Sequence, residues 1–151
     1  MTARTTIALI LFAQIFGAGL SNAQSSDFIG SWKAEITFGN GERRSLRFEV
    51  KDSGKGSYLP LVPRPIQGGS NEPSLAEWTR SEDHSLMISG PVQFPLGNVG
   101  LERGTLVLKG KLGTEGSITG EATFFPVDQD ATDPTAKPSK GGTFKASRVA
   151  N

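Results

Sequence analysis

The chain has 151 residues, with 16 Lys and Arg against 15 Asp and Glu, a single histidine and no cysteine. A formal net charge of +1 lacks the basic excess that a phosphate backbone demands, so nucleic acid is excluded as an expected partner. The missing cysteines exclude disulfides, thiolate metal sites and cysteine nucleophiles.

Residues 1–6 are polar with one charge, Arg4, and residues 7–20 are apolar or small apart from Gln14. Ser21 and Ala23 then offer the small side chains that signal peptidase accepts ahead of its cut, so 1–23 read as a cleavable signal peptide. The apolar run is shorter than the ~20 residues a spanning helix needs. The expected product is a single domain, residues 24–151, periplasmic or secreted from a bacterium, with no membrane segment in its mature form. Losing Arg4 leaves it with 15 basic and 15 acidic residues.

Beyond residue 29 the chain alternates apolar and polar residues in short runs separated by glycine-rich turns, which predicts an antiparallel β meander. Gly30 to Phe38 sets Trp32, Ala34, Ile36 and Phe38 on one face. Gly39-Asn40-Gly41 supplies a tight turn into Arg44 to Lys51, with Leu46, Phe48 and Val50 inward. Ser57 to Val62 is a third strand, cut short by Pro60 and Pro63. Arg64 to Ser74 is a loop, Leu75 to Arg80 a fourth strand, and Ser85 to Ser89 a fifth. Pro91 to Arg103 reads as an irregular cover. Gly104 to Leu112 and Ser117 to Phe125 form a hairpin, Pro126 to Gly142 is a long polar loop, and Gly142 to Val149 is the last strand. Eight strands joined to their neighbours, with no helix, predict an all-β fold: an eight-stranded antiparallel up-and-down barrel without edges.

Gly30-Ser31-Trp32 at the start of the first strand, with Arg148 near the end of the last, resembles the pattern of the calycin superfamily, the lipocalin and avidin-like barrels. The resemblance implies that Arg148 packs over Trp32 to close the barrel floor, with Gly30 permitting the close approach. It does not assign a ligand.

The chemistry-bearing residues read as ordinary surface. Glu82-Asp83-His84-Ser85 juxtaposes an acid, a base and a hydroxyl, but neighbours on one turn point apart and do not make a triad. Asp128, Asp130 and Asp133 share a loop without the spacing of a helix-loop-helix calcium site. Glu42-Arg43-Arg44 and Glu102-Arg103 read as solvated strand ends. No catalytic residue, metal site or cofactor is therefore expected, and the protein is expected not to be an enzyme.

Small inward residues, Ala34, Gly120, Ala122 and Ala146, would leave room inside a barrel for a small, largely apolar molecule. Tyr58, Leu61, Trp78 and Phe94 are the residues expected to meet it. The alternative is a filled barrel that binds a protein partner, either as an accessory domain or as an inhibitor whose residues 24–28 enter a protease cleft.

Overall fold

The computed structural model describes residues 26–62, 68–69 and 71–150. The segment read as a signal peptide lies outside the described residues. After a 3-10 turn at Ser26–Phe28 come eight strands: β1 (Gly30–Phe38), β2 (Arg43–Val50), β3 (Lys55–Pro60), β4 (Ser74–Arg80), β5 (Leu86–Pro95), β6 (Leu101–Leu112), β7 (Ile118–Pro126) and β8 (Lys140–Arg148). Each pairs antiparallel with the next, and β8 returns to pair with β1, so the sheet is a closed up-and-down barrel. Closure satisfies both outer edges of the sheet that an open meander would expose.

Side chains on a strand alternate between faces, and here every buried strand position is even-numbered. The register follows from that pattern: Trp32 stands opposite Phe48, Ala34 opposite Leu46, and Leu108 opposite Ala122. Slipping any strand by one residue would turn its apolar set to water.

The stretch expected as an irregular cover, Pro91 to Arg103, is instead the upper half of the longest hairpin. Pro91–Pro95 completes β5 and Leu101 opens β6, joined by a tight turn in which Leu96 N–H donates to Gly100 O at 2.9 Å. The two prolines of this stretch fall at positions a strand tolerates. The Pro91 carbonyl accepts from Ser74 Oγ, so its missing N–H also faces β4, where the ladder has already stopped at Glu77 opposite Ser89. Pro95 ends the strand.

The interior is packed. Large side chains, among them Trp32, Phe38, Phe48, Tyr58, Phe94 and Phe124, are less than 2 % exposed. The small inward residues stand where large neighbours overlie them. A Cβ added at Gly110 would sit 2.7 Å from Phe144 Cζ, and one at Gly104 would sit 2.6 Å from Phe124 Cζ. Ala122 faces Leu108 across the β6–β7 ladder. Small and large residues interdigitate, so the room inferred from Ala34, Gly120, Ala122 and Ala146 is taken by aromatic and aliphatic side chains.

Candidate functional site

The barrel has two unlike ends. At the floor lie the 3-10 turn and the turns after β2, β4 and β6; at the mouth lie the turn after β1 and the loops after β3, β5 and β7.

The floor is sealed by Arg148. Its guanidinium carbon lies 4.3 Å from the Trp32 ring centroid, and its two terminal nitrogens donate to Ile29 O at 2.7 Å and Asp27 O at 2.6 Å. Trp32 Nε1 donates to Phe28 O at 2.9 Å. Gly30 has φ +135, and a Cβ there would fall 2.6 Å from Arg148 Nη1, so the position requires glycine twice over. Phe28 is buried beneath this arrangement. Of the segment expected to probe a protease cleft, Ser26–Phe28 is thus a turn folded onto the barrel, because Arg148 donates to its Asp27 carbonyl and Trp32 to its Phe28 carbonyl.

The four residues expected to meet a ligand stand at different heights. Trp78 is near the floor, its Nε1 donating to Lys51 O at 2.6 Å. Tyr58 crosses the middle, its hydroxyl donating to Ile88 O at 2.8 Å with Leu106 O at 3.2 Å. Burial pushes its phenol well above the ordinary pKa of 10.0. Phe94 is at the mouth, fully buried, while Leu61 lies on the rim just beyond β3. They do not surround one opening.

Charge enters the barrel at the mouth. Arg44, Glu102 and Lys140 occupy even-numbered, inward positions at the upper ends of β2, β6 and β8, and Glu42 reaches in from the preceding turn. Lys140 Nζ donates to Glu42 Oε2 and to Glu102 Oε2, each at 2.6 Å, and its side chain is only 11 % exposed. The same ammonium lies 4.7 Å from the Phe38 ring centroid and 5.3 Å from that of Phe124. Arg44 binds the other Glu42 oxygen and lies 5.3 Å over Phe94, leaving its Nε buried without a partner. Cross-strand register explains the assembly: Lys140 is opposite Phe124 and Glu102 is opposite Phe94. Burial raises the Glu42 carboxyl, but the Lys140 hydrogen bond, the charges of Arg44 and Lys140 and the Asn40 amide outweigh it, so its pKa lies below the ordinary 4.5.

This cluster corrects the reading of Glu42, Arg44 and Glu102 as solvated strand ends. The signal was present in the sequence: Arg44 and Glu102 share the parity of the apolar residues on their own strands, and Glu42 continues the parity of β2 into the turn before it. Lys140 went unremarked because it begins a strand expected two residues later.

Elsewhere the singled-out residues serve local turns. His84 has φ 63, and its Nδ1 meets Arg80 Nη2 at 2.8 Å; arginine only donates, so Nδ1 accepts. Asp83 instead binds Ser85 Oγ at 2.6 Å, so acid, base and hydroxyl do not form a relay. Asp130 and Asp133 cap Thr132 and Thr135, and those hydrogen bonds lower both carboxyls. Among the described residues no three His, Asp or Glu are grouped to hold a metal ion.

Among the described residues six large apolar side chains are exposed: Leu75 and Met87 point outward from β4 and β5 on the barrel wall, and the other four lie on mouth loops. Leu61, Leu96, Val99 and Val127 sit on the loops after β3, β5 and β7; Val99 is 90 % exposed and Val127 75 %. Compared with known proteins, the chain matches no family model, and a search of the curated proteins found no match.

Proposed function

We propose that this is an exported, non-enzymatic, calycin-like barrel whose filled body presents its mouth loops to a protein partner. The observation that carries the reading is a separation of apolar surface. The interior already holds its own large side chains, whereas four of the six exposed large apolar residues described lie on three separate loops at one end, with Leu75 and Met87 on the outer wall. Full burial of an exposed side chain of this size is worth about 1.5–3 kcal/mol, so association would recover most from Val99 and Val127 and less from the partly covered Leu61 and Leu96. A polar margin surrounds them, from Arg43 and Arg103 to Asp128 and Asp130, as at most protein interfaces.

The reading of a small apolar ligand inside the barrel would need several of the buried aromatic residues to move aside. The two readings separate cleanly. The triple variant Leu96→Ser, Val99→Ser, Val127→Ser should keep the wild-type melting temperature and lose the partner that wild-type protein retains from extract of its source. Native mass spectrometry of the wild type should give the bare chain mass. An apolar adduct on the wild type that survives the triple substitution would overturn the proposal in favour of the lumen.

A further inference from the structure

We propose that the mouth holds a receptor for a primary ammonium group, loaded in the closed protein by the chain's own Lys140, and that an alkylammonium supplied from outside can take its seat. Two carboxylates and two aromatic faces converge on one point, with Glu42 Oε2 and Glu102 Oε2 each 2.6 Å from the nitrogen and Phe38 and Phe124 on its flanks. That combination is suited to an ammonium. The carboxylates accept its protons, and the ring faces, negative at their centres, favour a cation stripped of water.

The seat and its occupant are separable. The backbone of Lys140 is held in the β7–β8 ladder opposite Phe124, whereas the ammonium stands at the end of a flexible four-carbon stem. Withdrawing it needs side-chain rotation and no change in the barrel. Without it, the two carboxylates Glu42 and Glu102 and the one guanidinium of Arg44 leave the cluster with one net negative charge, so the vacated seat selects a cation. Lys140 is therefore both a structural tie and an internal competitor, and an incoming lysine side chain or small alkylamine must displace it. This holds whether or not the rim loops bind a protein, and its test uses no partner.

Lys140→Ala should melt at a lower temperature than wild type. n-Butylammonium chloride, titrated against sodium chloride of equal ionic strength, should restore about half or more of that loss in a saturable manner, since a ligand of the native state alone stabilises it by mass action. Wild type, its seat filled, should respond far less. Adding Glu102→Gln to Lys140→Ala should abolish the recovery, and tetramethylammonium, which has no N–H to donate, should be a poor substitute. Should Lys140→Ala not survive purification, refolding yield from urea replaces melting temperature as the readout. Equal responses in wild type and variant, or recovery matched by sodium chloride, would overturn the inference.

Discussion

Tyr58 is the only tyrosine in the chain, so its ionisation can be followed without interference. Its hydroxyl is fully buried and donates to Ile88 O, with Leu106 O within reach. Tyr58→Phe removes the donor and leaves these carbonyls short of a partner, which costs about 1–3 kcal/mol. At neutral pH the variant should therefore be less stable by that amount in urea unfolding, with an unchanged dependence on denaturant. Alkali reverses the comparison. The native state holds the neutral phenol, so the wild-type advantage is complete below the ordinary value of 10.0 and is lost as pH climbs past it, at about 1.4 kcal/mol per unit. The two stability curves should cross about one to two units above that value. Phenolate absorbance should rise only together with loss of the folded signal. If Tyr58 titrates near its ordinary value while the barrel stays folded, water reaches the interior and the claim of a packed lumen fails.

Glu42→Gln removes one carboxylate from Lys140 and Arg44; with these side chains about a fifth exposed or less, the cost at neutral pH should be about 1–3 kcal/mol. Because the native Glu42 carboxyl is held below 4.5, its contribution is present above that pH and lost as the solution is acidified through the folded value, so the gap between wild type and variant should narrow as the pH falls below 4.5; a constant gap would contradict the ion cluster. Arg148→Met keeps the stem but loses two carbonyl contacts and the indole face, and should cost about 1–3 kcal/mol; limited proteolysis should then cut ahead of Gly30, and an unchanged digest would refute the pinning of that turn.

Strand order and closure were legible because period-two alternation survives in nearly every strand, and because the tightest turns carry the glycines their geometry needs. Gly41, Gly54 and Gly116 all have positive φ. The one stretch misread, Pro91 to Arg103, shows why composition misleads there. Proline removes a ladder donor only on the side its nitrogen faces, and which neighbour lies on that side is a property of the closed sheet, invisible along the chain. Room in the lumen is hard to read along the chain for a related reason. Ala122 and Gly120 look like space when their strand is read alone, yet Leu108 stands opposite the first and the Phe144 ring lies across the Gly110 that faces the second. Volume in a barrel is set by pairs across strands, and those pairs depend on register.

The two plugs also differ in what holds them, and this gives the barrel a direction. At the floor, Arg148 donates to backbone carbonyls of Ile29 and Asp27, groups that never titrate. At the mouth, Lys140 and Arg44 are both held by the carboxylate of Glu42, which does. Acid therefore weakens the mouth while leaving the floor's bonds intact. The mouth also carries the exposed Leu96, Val99 and Val127, whereas the floor buries Phe28. The ion cluster and the exposed apolar loop residues fall at the same end. The closed sheet makes this polarity possible, because an odd-to-even reversal anywhere along β2, β6 or β8 would have turned Arg44, Glu102 or Lys140 outward to solvent and left the mouth an ordinary surface.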